Sequence, residues 1–293
     1  MRENSIKKIV VGTDFNQLAA AALRFAGGMA GRAGAELIVV YADTFDPPAE
    51  FTAAQVRHIA ETIERSRKKA REQLEAHVAK RIAKGVAWKA IVADGLPATS
   101  ISGIATAEGA DFITLGTHGR GGLQRLMIGS VAEAVMREAR VPVLTVRSTE
   151  LPAAVRRVIC PVDASDTAAA AASSAAHIAG ALDAELTLLH ISTGTGEKYF
   201  DVEALVPGPG TRTTVLRRAV QDDHASSEIL RIADSGDYDL IVVGAEHKLF
   251  RDLTLFGSTT VSVTRHARTP VLTVTRPQAE VSEPRSYAET HAG

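Results

Sequence analysis

The sequence has few of the residues that mark specialised classes of protein. Among its 293 residues there are one cysteine and one tryptophan, and aromatic residues make up only 4%. A single cysteine excludes an intrachain disulfide and a zinc cluster built on cysteines. Because Cys160 lies in an apolar run, we expect a buried structural thiol, and cysteine usage of this kind favours the cytoplasm.

Charge and hydropathy give no sign of a nucleic-acid or membrane partner. The chain has 33 basic and 34 acidic residues, so no global field would attract nucleic acid or an anionic membrane. No apolar run approaches the roughly 18 residues of a membrane span, and we expect no secretory signal. Hydrophobic residues make up 45% of the chain, which is enough to bury a core in each of two domains of ordinary size.

What the sequence does contain is an internal repeat, the first feature to look for in a chain of this length. Two segment pairs align at an offset of 149: 9–14 with 158–163, and 35–42 with 184–191. Three later pairs align at an offset of 128: 111–116 with 239–244, 129–130 with 257–258, and 142–146 with 270–274. The second copy is therefore 21 residues shorter than the first between its second and third strands.

The repeat predicts two tandem domains, over 1–149 and 156–277, joined by a linker near 148–155. Residues 278–293 are polar without an apolar period, which predicts a disordered tail. In the second copy, residues 193–212 replace a long helix of the first copy, and Pro207-Gly-Pro-Gly210 within them predicts a loop.

Each copy predicts an α/β fold in which short apolar strands alternate with helices. The strands of the first copy are expected at about 8–14, 36–42, 88–94, 111–116 and 142–147. Its helices are expected at about 16–33, 52–84, 98–109 and 129–139. Repeated strand–helix units with right-handed crossovers predict a doubly wound, five-stranded parallel sheet in each domain, with strand order 3-2-1-4-5.

The last strands of the two copies, about 142–147 and 270–275, are nearly identical. In this topology they lie at sheet edges, where exposed apolar backbone promotes aggregation unless it is covered. We therefore expect the two strands to pair antiparallel and relate the domains by pseudo-two-fold symmetry. Two independent domains on a linker are the alternative, and a further dimer of chains stays open.

One stretch of the first copy has the pattern of a phosphate-binding loop. Gly116 closes the fourth strand, Gly119 follows, and Gly129-Ser130 begin the next helix. Glycines permit positive φ and close backbone approach, and a helix N-terminus presents N–H groups and a positive dipole end to an anion. In open α/β sheets, ligands bind beyond the strand C-termini at the switch in strand order. Glycine spacing alone has an alternative explanation, since loops use glycine for turns.

The spacing Gly-x2-Gly-x9-Gly-Ser, with the opening Val-Gly-Thr-Asp and the closing Val-Pro-Val-Leu-Thr-Val, resembles the universal stress protein family. For its ATP-binding branch, the resemblance implies a bound ATP with a divalent cation, Mg²⁺. Carried over by position, it implies contacts to the nucleoside, the adenine edge, the ribose and the phosphates. These contacts fall on Gly12, Thr13, Asp14, Ala42, Gly116, His118, Gly119, Arg120, Gly129, Ser130 and Val131.

Several of these residues have simpler interpretations. Asp14 is also a candidate N-cap of the first helix, and Arg120 and His118 can be ordinary loop residues. The second copy departs from the pattern, because His247 stands at the second glycine and Glu246 adds a negative charge. It is expected to be a degenerate site.

These patterns predict a cytoplasmic regulatory protein of the stress response in which ATP acts as a ligand that favours one conformation or protein partner. The sequence has no P-loop, no Gly-x-Ser-x-Gly elbow and no positioned general base. We therefore do not expect an efficient enzyme. Slow ATP hydrolysis on the same fold is one alternative. A scaffold that binds a protein or an apolar small molecule through the second domain is another.

Overall fold

The computed structural model describes residues 5–43, 53–117, 128–165, 167–192, 200–208, 211–220, 225–245 and 258–275. Within these ranges the first copy contains five strands and four helices: β1 Lys8–Gly12, α1 Gln17–Ala33, β2 Glu36–Asp43, α2 Ala53–Ala79, β3 Trp88–Asp94, α3 Pro97–Glu108, β4 Phe112–Gly116, α4 Ser130–Glu138 and β5 Val143–Val146. The second contains β6 Arg157–Pro161, α5 Ala168–Ala181, β7 Glu185–Ser192, β8 Thr213–Ala219, α6 Ala225–Ala233, β9 Leu240–Ala245, α7 Ser258–His266 and β10 Val271–Thr275. The predicted tail, 278–293, lies outside the described residues.

All ten strands form one continuous sheet in the order β3-β2-β1-β4-β5-β10-β9-β6-β7-β8. Within each half the strands are parallel and follow the predicted order 3-2-1-4-5. The halves meet where β5 pairs antiparallel with β10, with Leu144 opposite Leu272. The Thr145 hydroxyl also donates to the Val271 carbonyl at 3.3 Å. The predicted fold and the predicted pairing of the last strands are both confirmed.

The two faces of the sheet are organised differently. One face has a single core shared by both halves, to which α1 and α5 both contribute and in which Leu23, Leu144 and Leu272 are fully buried. The other face has two smaller cores, one under α3 and α4 and one under α6 and α7. Continuity of both the sheet and one core makes the tandem halves a single packed body rather than two independent domains.

Helix and strand ends follow local chemistry that the hydrophobic pattern does not report. α1 ends at Gly34, whose φ of +70° is the left-handed C-cap that glycine permits. α2 ends five residues earlier than expected, because the chain turns there and the Arg81 N–H donates to the Val78 carbonyl at 2.8 Å. α3 begins at Pro97, which has no N–H to satisfy, and ends at Gly109.

The segment expected to be a loop in the second copy is partly regular. A short 3-10 helix, Val202–Leu205, lies within it, and Val202 is fully buried in the shared core. The loop prediction for this part is wrong because one buried apolar residue anchors the turn. The cysteine prediction is confirmed: Cys160 is completely buried in β6, and burial raises the pKa of its thiol. No helix in the described part of the chain combines the length and apolarity needed to cross a lipid bilayer.

Candidate functional site

The candidate site lies where β1 and β4 end side by side. Val11 is in register with Thr114, so Gly12 and Gly116 lie at the same carboxyl edge of the sheet. The chain leaves β1 toward β2 on one side, and β4 begins the opposite half of the sheet. This is the switch in strand order, where a crevice opens in doubly wound folds.

The turn from β1 into α1 is held by its own polar side chains. The Thr13 N–H donates to the Val40 carbonyl at 2.9 Å, and the Thr13 hydroxyl accepts from the Phe15 N–H at 3.1 Å. Phe15 has a φ of +67°, a left-handed conformation that a bulky residue rarely adopts. The buried Thr13 side chain therefore stabilises a strained turn beside the site.

Asp14 braces the same turn, but it does not cap the helix. Its carboxylate accepts from the Asn16 N–H at 3.1 Å and from the Asn16 side-chain amide at 3.0 Å. The N-cap is Asn16, whose Oδ1 accepts from the Ala19 N–H at 2.7 Å, so the N-cap interpretation of Asp14 is wrong. Each carboxylate oxygen can accept two hydrogen bonds, so the half-buried Asp14 can brace its turn and also accept from a ligand hydroxyl.

Packing leaves little room for a side chain at either strand-end glycine, and at Gly116 the obstacle is backbone. A Cβ on Gly12 would lie 2.5 Å from the Leu115 side chain and 2.7 Å from that of Ile101. A Cβ on Gly116 would lie 2.7 Å from backbone atoms of Leu18 and Ala19 in the first turn of α1. The contact between β4 and α1 therefore explains Gly116 without a ligand.

The end of the glycine-rich loop and the start of α4 are brought to the same edge. The Thr117 N–H donates to the Val146 carbonyl at 3.0 Å, and the Thr117 carbonyl accepts from the Gly129 N–H. Gly129 is the N-cap of α4 and supplies no side-chain cap. The first turn of α4 therefore presents N–H groups to the crevice, which is the arrangement that binds anions. Ser130 is exposed there, and Val131 is 37% exposed.

The remaining predicted residues are placed only in part. Ala42 lies at the end of β2, in register with Ala93 of β3, and is half-buried. His118, Gly119 and Arg120 lie outside the described residues. The described residues thus bring together the predicted nucleoside side and the predicted phosphate-binding helix end.

An aromatic cluster borders the site and was missed by the sequence reasoning. The Phe15 ring lies 4.9 Å from the Tyr41 ring and meets the His77 ring edge-on at 5.1 Å. Burial and the neighbouring Arg81 lower the pKa of His77 to about 4. No glycine pattern signals these residues; only the register of β2 with β1 brings Tyr41 beside Phe15.

The corresponding place in the second domain is more apolar. At the established offsets, Pro161 replaces Gly12, Val162 replaces Thr13 and Ile191 replaces Ala42. A cavity of about 300 Å³ remains there, and its apolar lining includes Leu189, Ile191, Ile229 and Val243. The two residues that interrupt the glycine pattern, Glu246 and His247, lie outside the described residues.

The fold and this edge define a tandem, doubly wound α/β protein in which a helix start without a side-chain cap lies at the switch point of the first half. The sequence model of the Universal stress protein family matches residues 5–147 and 154–275. The chain belongs to the universal stress protein family.

Individual relatives agree with this assignment. Universal stress protein MJ0531 of Methanocaldococcus jannaschii is 33% identical over 150 residues, covering 50% of this chain and 84% of the relative. Universal stress protein Rv2005c of Mycobacterium tuberculosis is 29% identical over 152 residues, covering 48% of this chain and 45% of the relative. The crystal structure of a universal stress protein from Archaeoglobus fulgidus superposes with a TM-score of 0.68 at 20% identity, covering 94% of this chain and 98% of that one. That structure bears on the fold alone.

Proposed function

We propose that the first domain binds ATP and that the protein is a cytoplasmic regulator of the stress response, in which the nucleotide favours one conformation or one protein partner. The observation that carries the proposal is the convergence at one edge of the Gly12–Asp14 turn and the uncapped first turn of α4. A ligand stabilises one conformation only if it binds that conformation more tightly than the other. ATP bound at the turn between β1 and α1 would favour the conformation in which that turn and the start of α4 lie together.

The residues present suit a nucleoside triphosphate. The Asp14 carboxylate, beyond its bonds to Asn16, would accept from ribose hydroxyls. The backbone N–H and hydroxyl of Ser130 and the N–H of Val131 would donate hydrogen bonds to phosphate oxygens at the positive end of α4. Gly129 has no side chain to obstruct that approach. On the loop before it, Arg120 and His118 would complete the phosphate side, and Mg²⁺ bound to the phosphates would neutralise part of their charge.

Titration calorimetry with MgATP tests the proposal directly. We expect close to one ATP per chain, because the second domain has Pro161 and Ile191 in place of Gly12 and Ala42. Gly119→Val, which adds bulk on the phosphate side, should abolish binding. Two equivalents of ATP per chain, or full binding by Gly119→Val, would contradict the assignment.

A matched pair of substitutions tests the nucleoside side. Asp14→Ala should weaken ATP binding about ten- to a hundredfold, since a hydrogen bond to a charged acceptor is worth roughly 1.5–3 kcal/mol. Asp163→Ala is the control, because Asp163 makes the corresponding turn contact, accepting from the Ser165 N–H at 3.0 Å. Equal and small effects on affinity would mean that Asp14 only braces its turn.

The cavity of the second domain favours a second candidate function, the binding of a small apolar ligand. Its volume of about 300 Å³ suits a molecule smaller than ATP, and its lining combines aliphatic side chains with Asp163, Ser165 and three threonines, which favours a mainly apolar ligand with one polar group. Indole is a suitable probe in a titration followed by NMR. Val243→Phe, which fills the cavity, should remove shifts of residues around Ile229 while leaving ATP binding intact; unchanged spectra on adding indole would count against this candidate.

Slow hydrolysis is the enzymatic alternative for the first domain. Steady-state phosphate release, compared between the wild type and Asp14→Ala, separates it from ligand binding. Turnover that falls in proportion to ATP occupancy would support hydrolysis at this site.

A further inference from the structure

A large cleft runs alongside α5, at the junction of the two halves. It has a volume of about 1160 Å³. Its floor is formed by small residues of α5, including Ala169 and Ser173, and one wall by Ile6 and Phe112 of the first half. Thr275, the last residue of β10, lies at its edge, so the chain that follows starts from the cleft.

The equivalent face of α1 is covered by the linker between the domains. Residues 149–155 lie against α1 at Arg24, Phe25 and Gly28. Leu151 packs on the shared core, and a Cβ on Gly28 would lie 3.8 Å from the Ala153 carbonyl oxygen. The linker therefore runs over α1 directly after leaving β5.

The pseudo-two-fold symmetry repeats part of this arrangement at α5: in each half, the residues just before the first strand lie beside the helix. Ala154 and Val155, just before β6, lie on α1; their equivalents at the offset of 149, Ser5 and Ile6, line the cleft on α5. The other half of the arrangement, the chain that leaves the last strand, corresponds at the offset of 128 to the residues after Thr275.

We propose that residues 276–283 run alongside α5 as the linker runs over α1, and fill this cleft. The distance is within reach, because eight extended residues span about 26 Å. The stretch of α5 to be covered, from Ala169 to His177, rises only about 12 Å.

The composition of the segment matches the cleft. Ala279 and Val281 are two residues apart, so both would face the same side of an extended chain and could lie on the small residues of α5. Glu280 and Glu283 bring negative charge to a cleft lined by Arg140 and His177.

Two further charged residues, Lys7 and Asp111, line the cleft and are linked by a hydrogen bond. The Asp111 carboxylate accepts from the Lys7 backbone N–H at 2.6 Å, and both residues belong to the lining. The one acidic residue among the described lining is thus engaged by backbone, and the cleft favours an acidic segment over a basic one.

The surroundings of α5 differ from those of α1. In the first half, α2 packs on the same face of the sheet as α1, and its Leu74 and Val78 are fully buried in the shared core. The second half is 21 residues shorter at this point, which removes the sequence that would form a counterpart of α2. Ala169 is exposed, whereas its equivalent Ala20 is buried.

An engineered disulfide tests the position of the segment. His177 and Val281 are the pseudo-equivalents of Gly28 and Ala153, so His177→Cys with Val281→Cys should cross-link within one chain under mild oxidation. Gly28→Cys with Ala153→Cys is the positive control, and His177→Cys with Ala292→Cys the distant control. The buried Cys160 does not interfere. Cross-linking no faster than in the distant control, or only between chains in proportion to concentration, would overturn the proposal.

Hydrogen exchange on the native sequence provides a test without cysteines. Ending the chain after Thr275 should speed exchange of the α5 amides beside the cleft roughly tenfold, because local opening there loses a packed neighbour. The amides of α1, which keep the linker, are the internal control. Equal exchange of α5 with and without residues 276–293 would mean that another molecule, or none, covers this face, and would overturn the proposal.

Discussion

Gly116 illustrates how one residue can satisfy a ligand-binding pattern for a reason internal to the fold. The loop of which it is the first glycine resembles a phosphate-binding loop, yet its missing Cβ makes room for the backbone of α1. Backbone cannot move aside as a flexible side chain can, so a larger residue here must displace the start of α1.

Gly116→Ala should therefore destabilise the protein by about 1–3 kcal/mol, the usual cost of overpacking a closed contact. Urea unfolding followed by circular dichroism measures it. Gly103→Ala is the control, because nothing lies within 4 Å of a Cβ at Gly103 in α3. Alanine there should stabilise the helix by up to about 1 kcal/mol. Similar behaviour of the two variants would contradict the packing explanation.

His77 gives the protein an acid-sensitive contact. Its pKa falls from 6.5 to about 4 in the folded state, so the unfolded chain takes up this proton first. The contribution of neutral His77 to the free energy of unfolding is fully present above pH 6.5 and is lost as pH falls from 6.5 toward 4. Because the ring is partly exposed, we expect a loss of about 1–2 kcal/mol, less than the full shift implies.

Urea midpoints of the wild type and His77→Leu at pH 7.5 and 5 test this expectation. Both proteins share the titration of all other groups, so the difference between their pH profiles isolates His77. Parallel profiles would show that the ring titrates normally.

At the level of residues, the sequence predicted where the candidate residues lie better than what each side chain contacts. Asp14 and Ser130 lie at the expected edge because motif spacing follows strand and helix boundaries. The exchange of roles between Asp14 and Asn16 was not predictable, since both are good N-cap residues and only turn geometry decides between them. Phe15 and His77 meet across 62 positions of sequence, a contact that no local pattern contains.

α1 is the helix that joins the site to the shared core, and its start is secured by Asn16. Asn16→Ala should cost about 0.5–2 kcal/mol, because the Ala19 N–H loses its acceptor. Asn16→Ser keeps a capping oxygen but loses the hydrogen bond that the Asn16 side-chain amide donates to Asp14. Thermal unfolding of the two variants should thus separate capping from bracing: a serine variant as unstable as the alanine variant would mean that the bond to Asp14 dominates.

The elements themselves were largely predictable, and their ends were not. β1 was expected to reach residue 14 but ends at Gly12, because Thr13 and Asp14 turn their side chains to local N–H groups. The 3-10 helix of the second half follows from burial of Val202 by distant residues. Apolar periodicity identifies what is buried, whereas polar side chains decide where an element stops.

For the whole molecule, the pairing of β5 with β10 predicts the behaviour of a separated half. Residues 1–149 alone would expose the β5 edge and the part of the shared core now covered by the second half. We expect this fragment to dimerise, with β5 of a second copy in the place of β10, because an exposed apolar edge pairs with an equivalent edge.

Sedimentation velocity of the fragment and of the intact chain gives the comparison. Thr145→Pro in the fragment, which places a ring on the paired edge, should shift it to monomer or abolish folding, and circular dichroism distinguishes these outcomes. A folded monomeric fragment with the native sequence would contradict the expectation.

The antiparallel meeting of β5 and β10 also fixes the directions from which the molecule can be approached. The carboxyl edge of the first half and that of the second half point to opposite rims of the ten-stranded sheet. The candidate ATP site and the cavity of the second domain therefore lie at opposite rims. Two macromolecules could engage the two rims at once without steric competition, and one rim could report on nucleotide while the other stays occupied.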